Sequence, residues 1–171
     1  KVTEVIEELV FQPAGMADSG YFPADQLPSQ TAYAYIQNPD GSWRTNIFAV
    51  PIIGAPDGGA YTTVEDMQRF WKALVTGRIL NQEMTAALMA PHIVTNWEAP
   101  YTHYGYGIWI EQLESSILKY FVEGYDPGVS FRSGYYPAED LVFTMIGNTS
   151  EALWPLYQKI DELIQLSIDP I

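Results

Sequence analysis

The sequence predicts an α+β fold, in which an antiparallel sheet of about three to four strands lies late in the chain and helices pack on it. Apolar residues recur at helical spacing near the start and over residues 63–77 and 150–168, whereas residues 104–147 follow the two-residue period of strands. With 47% hydrophobic and 14% aromatic residues, the 171-residue chain can bury a substantial core. We therefore expect residues 1–171 to form a single unit.

The charge of the chain excludes several classes of partner. Eight Lys and Arg residues against 21 Asp and Glu residues give a formal net charge of −13. Such a chain repels phosphate backbones and anionic lipid, so we expect neither nucleic acid nor acidic lipid as a partner. No apolar stretch approaches the roughly 18 residues of a membrane span. The absence of Cys excludes disulfides and leaves the localisation open.

The first 58 residues predict the end of a helix followed by a long loop region. Apolar residues at helical spacing stop before Pro13 and comprise Val2, Val5, Ile6, Leu9 and Val10. The following stretch, residues 12–58, is rich in Pro, Gly, Asn, Asp and Ser, which favours loops. Short extended pieces are expected near Thr31–Ile36 and Arg44–Val50.

A second helix is predicted to begin at Thr63. The Thr63 hydroxyl is expected to cap the helix, and Asp66, three residues on, to reach back to the cap amide. Gly77 is expected to end this helix. The buried stripe of this helix comprises Met67, Phe70, Trp71 and Leu74. A shorter helix from about Gln82 to Met89 is expected to end before Pro91.

The late part of the chain predicts an antiparallel meander followed by a helix. Four runs with strand periodicity are separated by turn residues: Tyr104–Ile110, Ile117–Glu123, Val129–Tyr136 and Leu141–Gly147. Helical spacing returns over Ser150–Ile168. One face of this helix carries Leu153, Leu156, Tyr157, Ile160, Leu163 and Ile164.

Four stretches have the order and spacing of motifs in one enzyme family. They are the turn Phe11–Gly20, the glycine-led helix start Gly58–Phe70, the run Tyr104–Trp109 and the Pro-Gly turn within Gly124–Ser130. Together they resemble the C-terminal portion of the serine β-lactamase and penicillin-binding protein family, which includes class C β-lactamases, D-Ala-D-Ala carboxypeptidases and esterase relatives.

The resemblance implies an enzyme whose serine is acylated by a lactam, peptide or ester carbonyl while a Lys and a Tyr manage protons. The first half of the family carries these groups in Ser-x-x-Lys and Tyr-x-Asn motifs, and neither appears in a usable place here. We therefore expect a C-terminal portion that is inactive alone, whose parent acts on a small molecule, peptide or ester. No cofactor or metal is implied. The two histidines, His92 and His103, lack zinc-site spacing.

The third catalytic motif of the family, Lys-x-Gly or His-x-Gly, falls on Val122-Glu123-Gly124. Only Gly124 matches, because Val122 replaces the Lys or His and Glu123 adds a negative charge where a substrate carboxylate often binds. The backbone N–H of the next residue, Tyr125, is a possible oxyanion donor. This pattern disfavours recognition of a β-lactam or D-Ala carboxylate and leaves acyl transfer with another substrate open.

The candidate substrate-binding residues are Tyr104, Gly124, Tyr125 and Asp126. Tyr104 and Tyr125 are candidates for an aromatic ligand wall, against the alternative of sheet packing. Glu123 and Asp126 are candidates for a carboxylate pair of the glycosidase kind. The favoured alternative is that Asp126 satisfies turn amides before Pro127-Gly128.

A literal Ser-x-x-Lys occurs at Ser116–Lys119. The chemistry needs both side chains on one face of a helix, whereas strand spacing places positions three apart on opposite faces. The motif leads directly into a predicted strand, so we interpret it as a coincidence.

Two functions from different classes fit these observations. The first is the C-terminal part of a serine hydrolase or peptidase, and the second is a non-catalytic ligand-binding or sensor relative, which the replacement at Val122 motivates. The resemblance also implies that the last strand, Leu141–Gly147, pairs with an early strand of the family's first half. An apolar sheet edge is usually covered, so we expect a homodimer, a strand-swapped association or pairing with that N-terminal portion.

Overall fold

The computed structural model describes residues 1–96, 102–113, 116–151 and 153–168. In this part of the chain the fold is α+β, as predicted. Its main feature is a six-stranded antiparallel sheet of order β3-β4-β5-β6-β7-β8, so each strand lies next to its neighbour in sequence. The strands are β3 (Ile93–Val94), β4 (Thr102–Tyr104), β5 (Trp109–Leu113), β6 (Ser116–Asp126), β7 (Val129–Tyr136) and β8 (Leu141–Gly147).

The other elements are short helices and one hairpin. They are α1 (Val2–Ile6), a π-helical turn (Glu7–Phe11), α2 (Gln12–Ala14), β1 (Tyr35–Gln37), β2 (Trp43–Thr45), α3 (Val64–Val75), α4 (Gln82–Met89) and α5 (Trp154–Ile168). Strands β1 and β2 pair antiparallel in the region where short extended pieces were predicted. Within the described ranges, no helix has the length and apolar character needed to cross a bilayer.

The chain divides into two compact units. The first unit comprises Lys1–Gly20, Ala60–Val122 and Ser133–Thr144, and the second comprises Tyr21–Gly59, Glu123–Arg132 and Met145–Ile171. The expectation of one unit over residues 1–171 stays a prediction.

The first helix does not end before Pro13, which corrects the sequence interpretation. Proline has no N–H and its ring clashes with the carbonyl four residues earlier in a regular α-helix. The wider π-helical turn Glu7–Phe11 lies just upstream, and the helical path continues through Pro13 to Ala14. A π-turn inserts one extra residue per turn, which accommodates the ring.

Helix α3 begins as predicted, but one of its acidic side chains has a different partner. The Thr63 hydroxyl accepts the N–H of Asp66 at 3.1 Å, which is the expected cap. The buried Asp66 carboxylate instead accepts the N–H of Asp18 at 2.8 Å and the hydroxyl of Ser19 at 2.7 Å, and it forms an ion pair with Arg69. Asp66 therefore fixes the Asp18–Ser19 loop to the start of α3.

The core of the first unit forms around Trp71, as the predicted stripe of α3 requires. Its buried members are Trp71, Leu74, Ile108, Ile110 and Tyr135. The Trp71 indole stacks on the Tyr135 ring with 6.3 Å between centroids, and its N–H donates to the Ser133 hydroxyl at 2.9 Å. The buried polar group of Trp71 is thus satisfied.

The predicted strand Tyr104–Ile110 is wrong, because this run contains a turn between β4 and β5. The Gly105 N–H donates to the Ile108 carbonyl at 2.8 Å, and Gly107 has φ of 84°, a backbone conformation that favours glycine. Strand β6 is longer than predicted and extends to Asp126, whereas β7 and β8 have the predicted bounds.

Candidate functional site

Val122 is the first residue of the run that the resemblance aligns with the third family motif. The Val122 side chain is partly buried and packs against the core cluster that contains Trp71 and Ile110. A branched apolar residue suits this pleated, half-buried position on β6. β6 therefore carries an apolar side chain at Val122 that belongs to the packing of the first unit.

Glu123 forms a buried ion pair. Its carboxylate lies 2.9 Å from the guanidinium of Arg132 on β7, and the Arg132 side chain is only 1% exposed. The guanidinium also lies over the ring of Tyr157 on α5, 3.8 Å from its centroid. A charge buried to this degree is stable only when it is paired. The negative charge that the sequence placed beside the site is therefore compensated by Arg132.

The next three residues, Gly124, Tyr125 and Asp126, form the exposed end of β6. The side chain of Tyr125 is 76% exposed. In the described part of the chain, β5 pairs with β6 only as far as Trp109 opposite Phe121, so the end of β6 runs beyond β5. Gly124, Tyr125 and Asp126, which follow that point, are all exposed.

The turn after β6 is held by side chains distant in sequence. The Ser150 hydroxyl accepts the N–H of Gly128 at 2.8 Å and donates to the carbonyl of Asp126 at 3.2 Å. The side-chain amide of Asn46 donates to the carbonyl of Pro127 at 3.0 Å. The Gly128 amide is thus satisfied by Ser150, and not by the Asp126 carboxylate as the sequence suggested, because Asp126 still belongs to the strand.

Glu123 and Asp126 do not form a carboxylate pair. Residues three apart on a strand point to opposite faces, and Glu123 is partly buried and paired with Arg132 while Asp126 is exposed. The arrangement lacks the two facing carboxyl groups that glycoside hydrolysis requires.

Tyr104 packs within the sheet. Its ring meets the Trp109 ring edge to face with 4.6 Å between centroids, and the Tyr104 residue is partly buried. Aromatic pairs of this geometry are a usual feature of sheet packing. The structure thus favours a packing role for Tyr104, whereas the Tyr125 side chain is exposed.

The Ser116–Lys119 run lies on β6, as expected for a coincidental match. The exposed Ser116 hydroxyl donates to the Leu113 carbonyl at 3.1 Å. The Lys119 ammonium is 1% exposed and lies 2.9 Å from the Glu111 carboxylate. An ammonium engaged with a carboxylate on another strand is not placed to take a proton from Ser116.

The His92 ring contacts a backbone carbonyl and an aromatic ring. Within the described residues, no group of His, Asp or Glu side chains is arranged to hold a metal ion. The Nε2 atom of His92 lies 2.7 Å from the Ala87 carbonyl, and its ring packs against Tyr106 with 4.2 Å between centroids.

Sequence reasoning missed Arg132, Ser150 and Asn46. Arg132 carries the one available signal, because a charged residue at an inward position of a strand indicates a buried ion pair. The roles of Ser150 and Asn46 depend on contacts with residues 22 and 81 positions away, which no local pattern reveals.

Comparison with known proteins places this geometry in context. The profile of the family described as Beta-lactamase matches residues 1–160. A penicillin-binding protein from Bacillus halodurans is similar in structure, with 44% identity and a TM-score of 0.89 over 94% of this chain and 49% of that chain. No curated protein sequence matched the chain.

Two more distant structures share the fold. An octameric penicillin-binding protein homologue from Pyrococcus abyssi has 23% identity and a TM-score of 0.74, over 86% of this chain and 34% of that chain. A D-amino acid amidase from Ochrobactrum anthropi SV3, complexed with L-phenylalanine amide, has 21% identity and a TM-score of 0.69, over 98% of this chain and 52% of that chain. The chain thus spans about a third to a half of the solved structures that it matches.

Proposed function

Because this chain belongs to the β-lactamase family, we propose that it forms the C-terminal part of a serine hydrolase or peptidase that works through an acyl-enzyme. The observation that carries the proposal is the family match over residues 1–160, supported by 44% identity to a penicillin-binding protein. In this proposal the nucleophilic serine and its proton-transfer partners lie outside these 171 residues. The exposed end of β6 supplies one wall of the site.

The backbone N–H of Tyr125 is the proposed oxyanion donor of this wall. A backbone donor needs no particular side chain, so the role is compatible with the motif residues that this chain has replaced. The position follows Gly124, the matching motif residue, at the accessible end of β6.

The proposed substrate class is a small-molecule, peptide or ester acyl donor that needs no carboxylate recognition by the third motif. Val122 supplies no positive charge, since it packs against the Trp71 cluster. Glu123 supplies no exposed negative charge, since Arg132 pairs with it. The two positions that precede Gly124 therefore carry no uncompensated charge that could attract or repel a substrate carboxylate.

Acylation by a fluorescent penicillin and by a fluorophosphonate tests the enzyme hypothesis. We expect no labelling of the 171-residue chain. In a longer protein we expect the fluorophosphonate to label a serine upstream of Lys1, and the penicillin to react weakly because the third motif supplies no positive charge for its carboxylate. Labelling of the chain that disappears in Ser116→Ala would show that the catalytic serine is Ser116, contrary to the proposal. A longer protein that contains both first-half motifs yet does not react with the fluorophosphonate would contradict the proposed acyl-enzyme.

A non-catalytic ligand-binding or sensor relative is the second candidate. The observation that favours it is the apolar packing of Val122 at a position where the family places a functional group. A natural protein without Ser-x-x-Lys and Tyr-x-Asn upstream, which binds a peptide or lactam without turnover, would support this candidate.

We propose further that the free edge of β8 is covered by pairing with another strand. β8 is the last strand of the described sheet, and Ile146 on it is 44% exposed. In the first unit, a cavity of about 270 Å³ lies beside this strand and is lined by Val64, Glu65, Gln68, Val142 and Thr144. The covering strand comes from an N-terminal portion of the same protein, from a second copy or from a strand swap.

A further inference from the structure

The turn between β6 and β7 receives two side-chain contacts that the proposed function does not yet explain. Ser150 and Asn46 contact it at three backbone groups, and the turn begins one residue after Tyr125. We infer that Ser150 and Asn46 are positioning residues that hold the Tyr125 end of β6 in the geometry needed for acyl transfer. This inference rests on the proposed function and deepens it.

The backbone conformation of this turn is one that does not stabilise a two-residue hairpin by itself. Pro127 occupies its second position, and Gly128, with φ of 83°, occupies its third, which is the pattern of a type II turn. In two-residue hairpins, type II turns fit the twist of the flanking strands poorly and tend to splay them. External contacts are therefore needed to keep the ends of β6 and β7 in place.

Ser150 holds both ends of the turn with one hydroxyl group. A hydroxyl has one donor and two acceptor positions, and here it accepts from Gly128 N–H and donates to the Asp126 carbonyl. These two backbone groups flank Pro127. The Asp126 carbonyl belongs to the Asp126–Pro127 peptide, so the contact restrains the chain two peptide units after the proposed oxyanion donor, the N–H of Tyr125.

Asn46 fixes the orientation of the central peptide of the turn. Its amide donates to the Pro127 carbonyl, the group whose direction distinguishes type II from type I turns. The Asn46 N–H donates in turn to the Ala34 carbonyl at 3.1 Å, which anchors Asn46 next to the β1–β2 hairpin. A flip of the Pro127–Gly128 peptide would lose the Asn46 contact.

The hairpin also supports Gly128 directly. A Cβ added to Gly128 would lie 3.0 Å from the Tyr35 nitrogen and 3.1 Å from the Tyr35 carbonyl oxygen. The backbones therefore touch, and the turn has little room to move toward β1. Contacts at three successive residues, Asp126, Pro127 and Gly128, restrict the strand end that contains Tyr125.

Restriction of a backbone donor matters for catalysis more than for binding. Oxyanion donors work because they already point at the position where charge develops, and loss of one typically costs about 10²–10³-fold in kcat. Displacement by about 1 Å costs up to about 10²-fold. Loosening the turn is therefore expected to lower kcat and to leave KM nearly unchanged.

Three variants of the full-length protein test this inference. Ser150→Ala removes both hydroxyl contacts, Ser150→Thr keeps the hydroxyl, and Ser42→Ala is the control because Ser42 bonds only within the β1–β2 hairpin in the contacts described, to Asn38 and Asp40. We expect Ser150→Ala to lower kcat and the rate of fluorophosphonate acylation about 10-fold, with KM within about twofold. Ser150→Thr should restore most of the activity and Ser42→Ala should leave it unchanged. Unchanged kcat in Ser150→Ala, or a loss that appears only in KM, would overturn the inference.

Hydrogen exchange supplies a readout that does not depend on activity. In Ser150→Ala and in Asn46→Ala, amides of residues 122–130 should exchange about 10-fold faster, while amides of α3 keep their rates. If the full-length protein proves inactive, the proposed function fails and this measurement alone decides whether the contacts hold the strand end. Unchanged exchange at residues 122–130 would reject the positioning role in either case.

Discussion

The guanidinium of Arg132 lies 2.9 Å from the carboxylate of Glu123. Glu123 lies two residues before Tyr125, whose backbone N–H is the proposed oxyanion donor. Glu123 is 11% exposed, and Arg132 also lies over the Tyr157 ring of α5. The pair therefore links the residue before Gly124 to β7 and to the C-terminal helix. Glu123 is better explained as a structural partner of Arg132 than as a charge that screens substrates.

Glu123→Gln is expected to lower the free energy of unfolding by about 3 kcal/mol, because breaking a buried ion pair leaves a buried charge without its compensating charge. Urea denaturation of the variant and the wild type measures the loss. Glu139→Gln is the matched control, since Glu139 is exposed near the β7–β8 turn, and it should change stability by less than about 0.5 kcal/mol. Equal stability of Glu123→Gln and wild type would show that the pair contributes nothing net.

Asp66→Ala is expected to destabilise the first unit by about 2–4 kcal/mol. The buried carboxylate accepts from Asp18 N–H and Ser19 hydroxyl and pairs with Arg69, so its removal deprives several donors of their acceptor. Thermal unfolding measures the effect. Glu65 is one position earlier and exposed, so Glu65→Ala tests whether removal of any acidic side chain from the first turn of α3 lowers the stability by the same amount. Similar losses in both variants would point to the helix dipole instead of the loop contact.

The start of α3 shows how far local patterns reach. The Thr63 cap and the buried stripe through Trp71 follow from residues close in sequence, and the structure confirms both. Two partners of the Asp66 carboxylate, Asp18 and Ser19, lie 48 and 47 residues earlier, so no local pattern identifies them. Local capping rules predicted a neighbouring amide, and the tertiary contact prevailed.

In the candidate site, too, some features follow from local sequence patterns and others depend on residues distant in sequence. Gly124 and the Pro127-Gly128 turn were predicted from turn chemistry and motif order. Pairing of Glu123 with Arg132 depends on the β6–β7 register, and the Ser150 contacts depend on the chain path after β8. The error at Tyr104–Ile110 has a local cause, since alternating glycines imitate strand periodicity while they allow a turn.

The free energy of unfolding should fall at alkaline pH, and ionisation of the Tyr135 phenol should account for part of the fall. Burial raises the pKa of the Tyr135 phenol above its ordinary value of 10.0, and the Asp140 carboxylate, which accepts its hydrogen bond at 3.1 Å, raises this pKa further. The unfolded chain releases this proton near pH 10 and the folded chain at a higher pH. The contribution to stability is therefore fully present below about pH 10 and is lost as the pH rises through the pKa of the folded state.

Tyr135→Phe removes this titration. We expect the variant to lose less unfolding free energy between about pH 9 and pH 11 than the wild type, although its stability at neutral pH is lower by about 1 kcal/mol because the Asp140 hydrogen bond is lost. Burial also raises the pKa of Tyr120, so part of the alkaline decline should remain. Tyr125→Phe, at a largely exposed position, is the control. Parallel pH profiles for wild type and Tyr135→Phe would contradict the assignment.

The isolated 171-residue chain should self-associate through β8. This strand ends the described sheet, and an exposed edge with apolar side chains favours pairing with another chain. Sedimentation velocity over a wide concentration range should show a concentration-dependent dimer. Ile146→Lys should weaken it, because a lysine on an edge strand opposes further pairing. The matched control is Val94→Lys on β3, the strand at the opposite edge, where the side chain is also exposed. A wild-type chain that stays monomeric would contradict the prediction, and a dimer that only Val94→Lys disrupts would assign the contact to β3.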